Sequence, residues 1–402
     1  MQASLARALV FYARSVPGWR QLAVETVRHV TGLRLDHVPN SWRDARWVRR
    51  FFKDTYQSLS YVEDWREAFA RHPRLRVSPC NINNPVEIVR ALRALKEADL
   101  VVALHSAVGD HLGVMRRIGR FLQGRRGPAI ALFGNEYNLM DEKIDFARRA
   151  GVDFIGSQLP PAAAAQLYAG LPRVRVLHAP AALNPDVYRP GPSGPRPVAL
   201  GFRGQAYPLF VGDVERTDAV NALSDAARRA GLAADVRFAP LERGGWSDFL
   251  AGCAGIPGAE SGTYFLEPDS KLLARAQAYC RRRPAATWPE VRERFFTGAR
   301  KINGKAISSR HFEPLGTKTC QVLLEGEYNG ILKPMEHYIP VRKDLSNVDA
   351  AVALLADPAV RARITETAHA FARAGHTYLK RVDDLVRAAL PGAEAGGGFA
   401  GQ

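Results

Sequence analysis

Motifs that announce a metal or a nucleotide triphosphate are missing from this chain. It has no HExxH, no GxxxxGK[ST] and no DxD triplet in a plausible loop context, so neither a metal-dependent nor a P-loop mechanism finds support. Cysteine is scarce: Cys80, Cys253, Cys280 and Cys320 stand far apart among 402 residues, with no CxxC pair and no metal-ligand spacing to histidine. They read as free, mostly buried thiols in a reducing compartment. Long apolar runs are also lacking near the N-terminus. The stretch Ala8 to Ala13 is bracketed by Arg7 and Arg14, is too short to span a bilayer, and is followed by no clear small-residue cleavage site. A cytoplasmic protein is expected. Lysine, finally, supplies only ten of the 56 basic residues.

What is present is a globular composition, 47% apolar and 24% charged, with length enough for two compact domains. The net charge of +16 is carried almost wholly by arginine. Such a balance ordinarily suggests polyanionic partners. The clusters, however, are short and scattered: Arg125-Arg126, Arg281-Arg282-Arg283, and Arg361 with Arg363. They fit solvated faces better than a nucleic-acid footprint, so no nucleic-acid partner is expected. Near the N-terminus, Leu5, Leu9, Phe11 and Tyr12 with Arg7 and Arg14 fit an amphipathic helix. Such a helix packs on its own domain or, as a peripheral contact, lies on the anionic inner face of a membrane.

From residue 74 onward short apolar runs alternate with helical stretches: "LRVSPCNI", "DLVVALHS", "PAIALFGNE", "VDFIGS" and "RVRVLHAP" read as strands with helices between them. Continuously apolar strands separated by helices imply a parallel sheet covered on both faces. "PGPSGPRP", residues 190–197, is the clearest linker. After it the alternation resumes with "VALGFRG" and "ADVRFAP". The expected architecture is therefore α/β, two Rossmann-like domains facing across a cleft. The N-terminal one covers 1–189 with a helical extension at its start, the linker 190–197, and the second domain 198–358 with a helical insertion at 271–300. Helices follow over 359–390, then a flexible tail over 391–402.

Chemistry belongs at the carboxyl ends of the strands, in that cleft. In "SSRHFEPLGTKTCQ", Glu313 precedes a turn at Pro314-Leu315-Gly316, after which Thr317, Thr319 and Gln321 can open a helix. Free N–H groups at a helix start beside a glycine suit a phosphate, and a neighbouring carboxylate suits the two hydroxyls of a ribose. The string resembles the C-terminal segment of GT-B glycosyltransferases, in particular the glycosyltransferase family 1 and spore-maturation-protein type, where a Phe-Glu pair precedes a glycine-containing helix start. "NPDVYRP" (184–190) is similar to the family's run at the interdomain linker, and "LGFRG" (200–204) to the first strand and loop of its donor domain. The resemblance covers roughly residues 75–385.

The resemblance implies a GT-B fold whose final helices cross back onto the first domain. It also implies transfer of a sugar from a nucleoside diphosphate donor to a hydroxyl of a glycan, lipid-linked or protein acceptor, in bacterial glycan or glycoconjugate synthesis, with no cofactor. Glu313 is then the ribose ligand, and Arg203, Gly204, Arg310, Gly316 and Thr317 complete the donor site. Retaining members carry a further glutamate seven intervening residues earlier, where this chain has Lys305; Glu260, in "GAESG", is the candidate equivalent. His105, at the end of "DLVVALHS", is a candidate base or diphosphate ligand. Asn135 and Glu136 in "LFGNEYN" are candidates for acceptor hydroxyls, with Glu136 as an alternative base. The competing reading is a non-catalytic basic α/β protein that docks on nucleic acid or an anionic membrane.

Overall fold

A computed structural model describes residues 5–14, 19–32, 42, 60–110, 112–192 and 194–391. The first half is built on a six-stranded sheet: β1 (Ala6–Tyr12), β2 (Leu75–Asn81), β3 (Leu100–Ala103), β4 (Ala129–Leu132), β5 (Phe154–Ser157) and β6 (Arg175–His178). The spatial order is β2-β1-β3-β4-β5-β6, and every pair is parallel. Strand order reverses where β1 stands between β2 and β3, which opens a crevice beyond their carboxyl ends.

The second half repeats the plan. Its strands β7 (Val198–Arg203), β8 (Ala234–Arg237), β9 (Cys253–Gly258), β12 (Cys320–Leu324) and β13 (Ile339–Val341) form a parallel sheet in the order β13-β12-β9-β7-β8. Here the order reverses beside β7. A small antiparallel pair, β10 (Ser261–Thr263) with β11 (Gly304–Ala306), flanks the insertion. The helices Lys271–Arg282 and Trp288–Val291 and the π-helical turn Arg292–Phe296 make up that insertion, with a core of their own around Phe265, Leu273, Val291 and Phe296.

Three expectations are corrected. The N-terminal run is not an amphipathic helix. It is β1, paired on both edges and buried from Ala8 to Tyr12, so its apolar side chains are consumed by the two sides of the sheet and none is left as a lipid-facing stripe. Arg7, before the buried part, pairs instead with Glu97 at 2.9 Å. The helical part of the extension begins later, with Trp19–Thr31 and Ser60–Arg71.

The helix near Glu313 also lies elsewhere than expected. It runs Ser309–Gly316, before the Thr317–Gln321 stretch, because Ser308 and His311 form a reciprocal cap at its start. Pro314 sits inside this helix, and Thr317 to Thr319 lead out of it into β12.

Third, only the last helix returns to the first half. Pro358–Gly375 stays with the second half through Ile364, Ala368 and Ala372. The chain then crosses at Leu183, whose N–H donates to the His376 carbonyl (2.8 Å) and whose carbonyl accepts from Tyr378 N–H (3.0 Å). Tyr378–Ala389 follows, packing Tyr378, Val382, Leu385 and Val386 against Trp65 and the β1 face. The expected tail beyond residue 391 lies outside the described residues.

Candidate functional site

A cleft cavity of about 230 Å³ lies beyond the carboxyl ends of β7, β9 and β12. Its floor and walls include Phe202, Arg203, Ile256, Pro257, Trp246 and Gln321, with Arg216, Ser308, Arg310 and His311 around them. The capped start of the Ser309–Gly316 helix therefore faces this cavity, with its positive dipole end. His311 is fixed as part of the cap: Nδ1 accepts from Ser308 N–H at 3.0 Å, and Nε2 lies 3.2 Å from the Ala259 carbonyl. Burial lowers its pKa to about 4, so the ring is neutral.

Besides Arg203, two guanidiniums line the cavity. Arg310 lies over the Trp246 ring at 4.1 Å, and Arg216 over the Tyr207 ring at 4.4 Å. Burial lowers the pKa of Arg216, and the charge of Arg310 acts on it in the same direction, which marks the two as neighbours. Like charges gathered at a helix start make a site for an anion.

The opposing half contributes the turn after β3. Asp110 is held through both carboxylate oxygens: Asn135 Nδ2 donates to Oδ2 at 2.6 Å and Asn138 Nδ2 to Oδ1 at 3.0 Å. The loop carrying these amides is itself tied down. Asn135 has φ 46°, and the fully buried Lys143 donates from Nζ to the Gly134 and Asn135 carbonyls at 2.5 and 2.9 Å. Burial lowers the Lys143 pKa to about 8. Gly109 lets the turn close, since a Cβ there would lie 2.4 Å from the His105 carbonyl oxygen. The charges of Asp110 and Arg216 both act on the Tyr137 hydroxyl, so the carboxylate of the first half and the guanidinium of the second both lie near that group.

A switch-point cleft lined by arginines, with a carboxylate of the other half in the neighbourhood of Arg216, can hold a diphosphate and take a proton. Residues 274–387 match the family described as glycosyl transferase-like. An α-glucosyltransferase solved with UDP and a 13-mer DNA containing a HMU base has the same fold over 95% of this chain and 98% of its own, at 10% identity and TM-score 0.50. The DNA-modifying enzyme β-glucosyltransferase, solved with and without uridine diphosphoglucose, matches over 96% and 100% at 11% identity and TM-score 0.50. The chain has the fold of these two glucosyltransferases, and its residues 274–387 carry the glycosyl transferase-like match. HepE of Anabaena, solved with UDP-glucose, is similar at 10% identity over 95% and 98% with TM-score 0.49. No curated protein matches the chain.

The residues expected from the sequence fall into three groups. Arg203, Gly204 and Arg310 line the cleft. Arg203, however, is spent on structure: it donates to the Asp235 carboxylate and carbonyl and lies over Phe249 at 4.2 Å, clamping β7 to β8. The second group is buried beside the cleft. Glu313 is 1% exposed and accepts from Trp246 Nε1 at 2.6 Å, with Arg310 at 3.9 Å, so it braces the ring on which Arg310 stacks. Glu313→Ala is expected to cost about 1–3 kcal/mol in urea unfolding, because the indole N–H loses its buried acceptor. Glu313→Gln keeps an acceptor there and is expected to recover most of that loss.

The third group serves packing. Gly316 permits close approach to Tyr188, whose carbonyl oxygen would lie 2.5 Å from a Cβ, and Thr317 is buried against Pro314 and Thr319. Neither meets the cleft, because the helix they were expected to open has already ended. Glu136 accepts from Ser157, Gln158 and Tyr168 at 2.6, 2.7 and 2.6 Å, joining the ends of β4 and β5. Glu260 accepts from Tyr328 N–H at 2.7 Å and fills the space a side chain at Gly326 would need. Burial raises the pKa of both carboxyls. Lys305, at the position of the retaining glutamate, donates to Asp213 at 2.7 Å between the Tyr207 and Tyr264 rings.

His105 lies under Trp65 and Tyr61, with ring centroids 5.5 and 5.8 Å away. Neither ring nitrogen meets a hydrogen-bond partner among the described residues. Burial, with a smaller contribution from Lys143, lowers its pKa to about 3. A depressed histidine value means stability present above the unfolded pKa near 6.5 and lost as pH falls below it. The expected result for His105→Phe is a stability difference from wild type that moves in the variant's favour by about 1.4 kcal/mol per pH unit below 6.5. Urea midpoints of both proteins at pH 7.5 and 5.5 check it.

Asp110, Arg216 and Trp246 were not singled out by the sequence. Asp110 carried a usable signal, a carboxylate after a glycine in the turn that follows a buried strand. Arg216 and Trp246 carried none, being helix residues whose direction depends on how two helices pack.

Proposed function

We propose that the protein transfers a glycosyl group from a nucleoside diphosphate sugar to an acceptor hydroxyl, with Asp110 as the base. The arrangement that carries this reading is the cavity lined by Arg216 and Arg310 on the second half, with Asp110 of the first half held by two amides and acting, like Arg216, on the Tyr137 hydroxyl. Arg216, Arg310 and the N–H groups at the start of the Ser309–Gly316 helix receive the diphosphate. The acceptor hydroxyl gives its proton to Asp110 as its oxygen bonds to the anomeric carbon. The bond from that carbon to the diphosphate oxygen breaks with its electron pair, and the two guanidiniums meet the charge that develops. The positive charge is thus supplied by side chains.

Two solved structures sharing the fold contain UDP or uridine diphosphoglucose, so UDP is the first donor nucleotide to test. Thermal shift against UDP, GDP, CDP, ADP and dTDP is expected to show one selective stabilisation, about 2.7 kcal/mol at 100 times the dissociation constant. Arg310→Ala is expected to weaken that binding by about 1.5–3 kcal/mol, the range for a hydrogen bond to a charged group. Equal shifts with all five nucleotides, or full binding by Arg310→Ala, would sink the donor assignment.

A further inference from the structure

Gln321 lies in β12 and is 1% exposed, a primary amide among the apolar side chains under the nucleotide cleft. It pairs in register with Ile256 of β9, and Leu323, two residues on and therefore on the same face, lines the cleft with it. The orientation of its amide is fixed by a neighbour. Nε2 donates to the His311 carbonyl at 2.9 Å, and a carbonyl can only accept, so the nitrogen must face it.

Oε1 is then turned away from that bond, and it is buried without a hydrogen-bond donor among the described residues. The nearby His311 ring cannot serve it. Its two nitrogens are engaged with Ser308 and the Ala259 carbonyl. A leucine would fill such a position at no polar cost, and Leu323 does so two residues later.

We propose that Gln321 is a specificity residue of the donor site, its Oε1 accepting a hydrogen bond from the bound nucleoside. This rests on the donor reading given above. The group recognised is an N–H or O–H of the nucleoside: a ribose hydroxyl, or the imide N–H of a base such as uracil, where cytosine presents an acceptor instead. Glu313 is already engaged by Trp246 Nε1; among the described residues, Gln321 Oε1 is the buried side-chain oxygen of the cavity lining that has no donor.

The experiment is calorimetric titration of wild type and Gln321→Met with UDP, 2′-deoxy-UDP and CDP, alongside melting curves. Methionine keeps the length and the packing and offers no comparable acceptor. Wild type is expected to prefer UDP over one of the two analogues. Gln321→Met is expected to bind UDP about tenfold more weakly and to lose that preference. Loss of the preference over 2′-deoxy-UDP identifies the hydroxyl as the recognised group, and loss of that over CDP identifies the imide.

The inference fails if Gln321→Met binds UDP as tightly as wild type or keeps its preference. Should the variant not fold, wild type alone decides, since equal affinity for all three nucleotides also overturns it. If wild type binds no nucleoside diphosphate at all, the donor reading falls with it, an outcome distinct from the first.

Discussion

Asp110→Asn is expected to lower kcat by about 10²–10⁴ while leaving UDP binding within a factor of two, the range that proton transfer to a placed base contributes. Asparagine keeps the size of the side chain and one oxygen, so the turn after β3 stays closed, but the amide cannot take the proton of an acceptor hydroxyl. The three carboxylate or imidazole alternatives are differently placed. Glu136 and Glu260 are engaged by their own loops, and His105 is buried under Trp65 and Tyr61. Single-turnover transfer separates the two quantities. An Asp110→Asn enzyme with unchanged kcat would mean that another group takes the proton, and the assignment of the base would be wrong.

Arg243→Ala should be among the most destabilising single changes in this protein. Arg243, at the start of the Arg243–Ala251 helix of the second half, reaches across to the Ser60–Arg71 helix of the first and donates to Asp64 and to Glu67. Asn184 donates to the same two carboxylates, at 2.8 and 3.0 Å. Asp64 is 1% exposed, and burial raises its pKa to about 7 despite the attraction of Arg243. Removing one member of a buried ion pair leaves the other uncompensated, at a cost of about 3–5 kcal/mol.

The pH dependence has a definite sign. A carboxyl whose native pKa is raised stabilises the folded state while protonated, and that stability is lost as pH rises through the native value. The deficit of Arg243→Ala is therefore expected to be larger at pH 8 than at pH 5.5. Adding Asp64→Asn should recover part of it, because a neutral amide needs no cation. Urea unfolding at the two pH values tests both statements, and a deficit independent of pH would show that Asp64 is not the group left exposed by the loss. Trp246 is one turn along from Arg243, so this contact also sets the ring that Glu313 holds and Arg310 covers.

The local signals in the sequence were those of hydrophobic period and chain breaking, and they were enough for the architecture. Continuous apolar runs such as "DLVVALHS" can be buried on both faces only in a parallel sheet, and the proline-glycine run at 190–197 cannot continue either element, so two α/β halves followed. The same reasoning failed at Ala8 to Ala13, where a short apolar run flanked by arginines fits helix and strand alike. The partners of β1 are β2, more than 60 residues downstream, and β3, about 90 downstream, and no local window contains them.

At the site, the family-like string around Glu313 marked the right segment but the wrong helix: the helix ends at Gly316 instead of opening after it, and Gln321 lies in β12. The reciprocal cap between Ser308 and His311 decided this, placing Arg310 at the cleft and turning Gly316 and Thr317 toward Tyr188 and Thr319. Arg216 and Gln321 became site residues only when the helices and strands of the second half packed around one cavity, and Asp110 only when the first half was set beside it. Residue type and spacing determine which groups a chain can offer; which of them meet in one cleft, and which are used up in packing, depends on contacts between segments a hundred or more residues apart.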